Sequence, residues 1–204
     1  AMLVSTCWSL VLGMHANVEE VIFGFISSGR DIPLEGITKM IGLCISSIPL
    51  RVKIDRSDTI LEMLKRVQKD AFAAIRYSTV GLAEIKSTQT QFSAREMFHT
   101  LVNVRGFEES FKQHSELPFM MTERNVLEDI DCPLIIDVDV LSQEIKVSCV
   151  YNGSMLDELD ATVLLKHLSN AIEYVLNNAG KMVREIDYMD FEERRRLQSG
   201  VRTP

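Results

Sequence analysis

Apolar residues recur along this chain at two spacings, and the switches between them mark out its elements. Leu3, Val4, Cys7, Trp8, Val11 and Leu12 share one side of a 3.6-residue repeat, so residues 2–15 are expected to form a core helix. Val21 to Ile26 is a short apolar run rich in β-branched and aromatic residues. It is closed by Ser27-Ser28-Gly29, which reads as a buried strand entering a turn. From Ile48 the spacing falls to two: Ile48, Leu50, Val52 and Ile54 point one way, and Pro49, Arg51, Lys53 and Asp55 the other. Between these strands, residues 31–36 make a stiff connection and residues 37–41 a turn of helix.

Helical spacing returns after Thr59, which with Glu62 has the pattern of a capping box. Ile60, Leu61, Leu64, Val67, Ala71, Phe72 and Ile75 then define a helix over residues 60–76, with Lys65, Arg66, Lys69 and Asp70 on its wet face. Residues 80–85 predict a short helical turn, and residues 98–104 alternate as a strand. Residues 105–131 have poor periodicity and a proline, and read as a long loop or insertion carrying a hairpin. Residues 133–140 and 145–151 pair as a hairpin across residues 141–144. Val163, Leu164, His167, Leu168, Ala171, Ile172, Val175 and Leu176 mark a long helix over 157–178, stopped by Asn177-Asn178-Ala179-Gly180. A second capping-type start, Asp190-Phe-Glu-Glu193, lies in the tail.

Composition narrows the possibilities. At 204 residues and 46% hydrophobic the chain is long and apolar enough for one domain with a substantial core. A net charge of −7 argues against nucleic acid or an anionic membrane as partner, and Arg194-Arg195-Arg196 directly after Glu192-Glu193 is a helix-surface pattern. Cys7, Cys44, Cys132 and Cys149 are scattered in apolar runs without metal-ligand spacing, which points away from zinc and from a disulfide framework and fits a reducing cytoplasm. No apolar run is long enough to span a bilayer, and the chain starts inside a helical pattern without a cap, as expected of a piece of something longer.

The cluster Gly24, Ser27, Ser28, Gly29 and Arg30 has two readings on its chemistry alone. It is either a tight turn with an exposed arginine, or a strand end where small residues let another backbone or a ligand come close. The ordered string Phe23-Gly24, Ser28-Gly29-Arg30, Gly36-Ile37, Met40-Ile41-Gly42-Leu43 and Ile45-Ser46-Ser47-Ile48-Pro49-Leu50-Arg51 resembles the C-terminal half of a condensation domain of nonribosomal peptide synthetases. Two departures stand out: Cys44 replaces the family's usual phenylalanine, and Ser46-Ser47 its Asn-Thr pair.

The resemblance implies an α/β two-layer sandwich, a mixed β-sheet with packed helices of the chloramphenicol-acetyltransferase-like type. It implies residues 1–180 as the C-terminal subdomain and 181–204 as a linker towards the next synthetase domain. It further implies that Ser28, Gly29, Arg30, Ser46 and Ser47 line a substrate tunnel, while Gly24, Gly42, Pro49 and Arg51 hold the motif together. In the family the tunnel receives two phosphopantetheine arms, carried by upstream and downstream carrier domains, and amide bonds form there between their aminoacyl or peptidyl thioesters. The expected partners are therefore those carriers, the N-terminal lobe of the same domain, and an adjacent adenylation or carrier domain; no cofactor is expected to bind this chain directly.

No catalytic residue is assigned. The family's His-His-x-x-x-Asp-Gly motif lies upstream of the matching region, so this chain alone is expected to be inactive. His15, His99, His114 and His167 lack the pattern of a nucleophilic triad, and His99 and His167 read as structural. Asp137 and Asp139 share one face of a strand and read as a solvated pair. Two alternatives remain open: a non-catalytic interaction module derived from such a lobe, and a lobe of a coenzyme A-dependent acyltransferase.

Overall fold

The computed structural model describes residues 1–30, 34–88, 97–106, 132–189 and 193–195. Residues 107–131 of the expected loop, the connection at 31–33, His114 and most of the second capping-type start lie outside those residues, while residues 105 and 106, expected in that loop, belong to a strand. Helix α1 (Met2–Ala16) leads into strand β1 (Glu20–Ser27), a 3-10 turn at Ile37–Lys39 and strand β2 (Ser46–Lys53). Helices α2 (Ile60–Ile75) and α3 (Leu82–Ser87) follow, then strands β3 (Thr100–Gly106), β4 (Leu134–Val140) and β5 (Ile145–Tyr151). Helix α4 (Glu158–Asn177) and a 3-10 turn at Val183–Glu185 complete the order.

The strands form one five-stranded mixed sheet in the order β2-β1-β3-β4-β5. The β1–β2 and β4–β5 pairs are antiparallel hairpin-like ladders at the two edges, and the two central pairings, β1–β3 and β3–β4, are parallel. Period-two alternation gives the sheet two different faces. Phe23, Phe25, Leu50, Val102, Ile136 and Val138 point into the core, where α1, α2 and α4 pack. The opposite face carries none of these three helices.

Helix α1 departs from the expected one-sided pattern. Every residue from Val4 to Val11 is buried, including Ser5, Thr6 and Ser9, because the helix lies between α2 and α4 and against β1. Its hydroxyls are accommodated locally, Thr6 donating to the Met2 carbonyl (2.9 Å) and Ser9 to that of Thr6 (2.7 Å). Trp8 is fully buried, and its indole N–H donates to the Thr100 hydroxyl at 3.1 Å, which ties the helix to the start of β3. Burial pushes the Cys7 thiol up to about 12, so it packs as a small hydrophobe.

Helix α2 begins as its sequence predicts. Thr59 Oγ1 accepts from the Glu62 N–H, and the Glu62 carboxylate accepts from the Thr59 N–H at 2.8 Å. Two further N–H groups of its first turn are satisfied from a distance: Ile60 donates to the Lys181 carbonyl and Leu61 to that of Ala179, both at 2.9 Å. The buried stripe is Ile60, Met63, Val67 and Ala71; Leu61 and Phe72, expected inside, are exposed. The chain after α4 thus stays on the body. Val183 and Ile186 are buried in the core cluster, Tyr188 packs against it, and Asn170 donates to the Tyr188 carbonyl at 2.8 Å.

Replacing Thr100 by the isosteric valine leaves the Trp8 N–H buried without an acceptor. The expected loss is about 1–3 kcal/mol, read as a lower urea midpoint with an unchanged slope. An unchanged midpoint would show that this bond does not hold α1 to the sheet.

Candidate functional site

The pairing between β1 and β3 is short. Only Gly24–Leu101 and Phe25–Val102 are in register, whereas β3 and β4 pair from Thr100–Leu134 to Gly106–Val140. Beyond Val102 the carboxyl ends of the two parallel strands separate. A crevice of about 420 Å³ opens there, lined by Ile26, Ser28 and Arg30 on one side, residues 103–106 on the other, and residues 42–45 across the mouth. Open α/β sheets characteristically bind ligands outside the carboxyl ends of their strands.

The turn leaving β1 is held by its own short polar groups. Ser27 Oγ accepts from the Gly29 N–H (3.3 Å) and Ser28 Oγ from the Arg30 N–H (3.2 Å). Gly29 sits at φ 66°, and a Cβ there would lie 1.7 Å from the Cys44 carbonyl oxygen, so the two segments can approach only through glycine. Arg30 closes the same loop. Its guanidinium donates to the carbonyls of Ile37 (2.7 Å), Met40 (2.8 Å) and Gly42 (3.4 Å), satisfying a 3-10 turn and its exit.

The residues singled out in the sequence are only partly brought together. Ser28, Arg30 and Gly42 line the crevice, and Gly29 is packed beneath its rim. Ser46 pairs with Ser27 in register, and its hydroxyl is a buried polar atom without a hydrogen-bond partner. Ser47 pairs with Ile26, on the helix-free face by alternation. Gly24 lies opposite Pro49, and a Cβ on it would meet the Phe98 ring at 2.6 Å, so its role is to admit that ring against the sheet. Arg51 forms an exposed ion pair with Glu20 (2.8 Å), bracing the β1–β2 edge.

Asn103, Arg105, Cys44 and Ile26 complete the lining. Asn103 shows in the sequence only as a polar position of an alternating strand, a signal shared by any half-buried strand, and Arg105 falls in the segment expected to be a loop, whereas β3 runs on to Gly106. Asp137 and Asp139 are paired rather than solvated: Asn103 donates to Asp137 at 2.7 Å, and Arg105 Nε to Asp139 at 2.7 Å. The register places these four side chains on the helix-free face beside the crevice, with the two carboxylates 17% and 23% exposed. His99 is exposed, and His167 is buried within the helix layer. No cluster of His, Cys, Asp and Glu suited to a metal ion occurs among the described residues. No helix among them is long and apolar enough to cross a membrane.

Residues 1–198 match the family described as the condensation domain. The chain is similar to tyrocidine synthase 3 of Brevibacillus parabrevis, 30% identical over 193 residues, which is 93% of this chain and 3% of that protein. A nonribosomal peptide synthetase of Aspergillus niger is 28% identical over 94% of this chain and 10% of its own length. Among solved structures, the starter condensation domain of a rhizomide synthetase superposes with a TM-score of 0.70 at 14% identity, over 93% of this chain and 44% of that one. The X-domain from teicoplanin biosynthesis, in its complex with OxyB, gives 0.76 at 20% identity, over 93% and 42%. The chain therefore spans a tenth or less of these curated relatives and under half of these solved chains.

Gly29→Ala places a methyl group against the Cys44 backbone in a conformation that disfavours side chains. The expected cost is about 2–4 kcal/mol, measurable by urea unfolding, with faster proteolysis in residues 28–45. A variant as stable and as resistant as the parent would remove this contact as the constraint on the rim.

Proposed function

Because the chain belongs to the condensation-domain family, we propose that it forms the C-terminal lobe of such a domain and closes one wall of the passage in which amide bonds are made. The observation that carries this reading is where the crevice opens. Beside it stand Ile41, Leu43 and Ile45, apolar side chains left largely or wholly exposed on the strip that leads into β2. A contiguous apolar strip next to a crevice marks a surface meant to be covered. The N-terminal lobe of the same domain covers it, and the seam between the lobes becomes the tunnel. A chain that covers 44% of a solved condensation domain has the extent of one such lobe.

In the complete domain the amine of a carrier-bound aminoacyl group attacks the carbonyl of the upstream thioester. The C–N bond forms, the C–S bond breaks, the carrier thiol leaves, and the amine gives up a proton. The residue handling that proton belongs to the histidine motif of the other lobe. This chain contributes position and exclusion of water. Ser28 and Arg30 shape the floor where β1 ends, and Gly29 lets the Cys44 backbone close in beneath the rim. The phosphopantetheine arms arrive on the carrier domains, with Ile26, Leu43, Ile45 and Val104 offering apolar contact along the crevice.

A second reading, a non-catalytic docking module, is favoured by the likeness to an X-domain whose solved form is a complex with OxyB, and by Ser46-Ser47 standing where the family carries Asn-Thr.

The deciding experiment joins the complete domain, including the segment upstream of this chain, with two loaded carrier domains and follows amide formation by mass spectrometry. Amide is expected from the complete domain and none from the 204-residue chain alone. Amide from the chain alone overturns the half-site reading; none from a complete domain with an intact histidine motif establishes the docking module instead. Ser46→Ala should stabilise the fold by about 1 kcal/mol, since it removes an unsatisfied buried hydroxyl. Amide formation should stay within about twofold of the parent, because Ser46 lies opposite Ser27 and outside the crevice lining. A rate about tenfold slower would place Ser46 in the tunnel.

A further inference from the structure

Away from the crevice, in the helix layer, three titratable side chains from three separate parts of the chain are joined in a row. His15, on the last turn of α1, places Nε2 2.8 Å from Nδ1 of His167 on α4. His167 Nε2 in turn lies 2.9 Å from both carboxylate oxygens of Glu193, on the outgoing end of the chain. His167 is 2% exposed, so its two ring nitrogens have these partners and no access to bulk water to replace them. The charged or titratable groups facing His15 are His167 and Asp160 from α4 and Glu193 from the outgoing segment. Arg194 beside Glu193 is paired with Asp187, seven residues earlier in the same outgoing segment.

We propose that His15, His167 and Glu193 form a proton-linked clasp, which grips the outgoing segment more tightly when the histidine pair takes up one proton and comes apart at the histidine pair when it takes up a second. The proton count follows from the partners. A carboxylate only accepts, so His167 Nε2 carries a proton. One more lies in the His15–His167 contact, donated by whichever of the two facing nitrogens holds it. His15 Nδ1 is the remaining position. Filling it while the shared proton passes to His167 Nδ1 keeps every hydrogen bond and puts the positive charge on His167, in line with Glu193, so that the second proton is the one that makes His15 itself cationic. That charge strengthens the bond to the carboxylate. A second added proton has nowhere to go but the His15–His167 contact, where two N–H groups would then face each other across 2.8 Å.

The lowered pKa of His15, caused first by burial and then by the charge of His167, with Glu193 and Asp160 opposing, agrees with this second step being resisted. The sign for stability follows. The folded chain binds fewer protons at His15 than the unfolded chain, whose value is 6.5, so this contribution is complete above pH 6.5 and is lost as pH falls from there through the lowered folded value.

The test uses the full chain with Glu193→Gln and His15→Gln, both away from the buried core. Imidazole proton resonances should titrate in two separated steps in the parent. The first should move to lower pH in the Glu193 variant, and the second should vanish in the His15 variant. Trypsin cleavage after Arg194 and Arg195 should be about tenfold faster in the Glu193 variant at pH 6.5, with the ratio to the parent shrinking towards pH 8.5. Two rings that titrate independently and ignore Glu193→Gln, or a cleavage ratio flat with pH, would overturn the clasp.

Discussion

The ladder between β1 and β3 stops after two residues, and the functional geometry of the molecule follows from that. Parallel strands that continued in register past Phe25 and Val102 would seal the sheet with backbone hydrogen bonds and leave no opening at their carboxyl ends. Because they part, the polar groups of the turn after β1 must be satisfied by something other than the neighbouring strand. Ser27 and Ser28 take two N–H groups, and Arg30 takes three carbonyls. The arginine of the motif thus serves the loop's own backbone, and in doing so sets the rim at a fixed distance from residues 42–45. Gly29 makes that distance possible, since any larger residue would collide with the Cys44 carbonyl.

The body behind the crevice is rigid for a separate reason. Helix α1 is enclosed by α2, α4 and the sheet, and Trp8 anchors it to the first residue of β3. The strand that forms one wall of the crevice is therefore held at its root by a buried aromatic side chain, while its other end is free to diverge. The stretch that follows α4 adds a second brace: its carbonyls cap the start of α2, and Val183 and Ile186 fill the core beside it. An opening between two strands is compatible with a stable fold here because burial is concentrated on the helix side, and the helix-free face is held by Asn103–Asp137 and Arg105–Asp139 pairs.

Much of this was legible locally. The capping box at Thr59 and Glu62 and the alternation from Ile48 to Ile54 are short-range patterns. They are set within a few residues, so neighbours in sequence suffice to specify them. The mixed sheet with packed helices follows from the same patterns joined to the motif running from Phe23 to Arg51. The periodicity of α1 was misleading in one respect. A helix packed on three sides buries serine and threonine as readily as valine when their hydroxyls can reach the carbonyl three or four residues back, and no spacing rule separates such positions from a wet face.

The sequence by itself determined the elements, the strand faces and the glycine that the rim requires, since each depends on local conformation and period. Only the tertiary structure decided which of the small polar residues meet. Ser28 and Arg30 reach the crevice, Ser46 is half-buried on the core face with its hydroxyl unpartnered, Ser47 belongs to the helix-free face, and Arg51 braces an edge. His15, His167 and Glu193 join across separations of 152 and 26 residues, and Asn103 joins Asp137 across 34. Contacts of that range are set by how far two strands diverge and how three helices cross, and those quantities arise from packing the whole core at once.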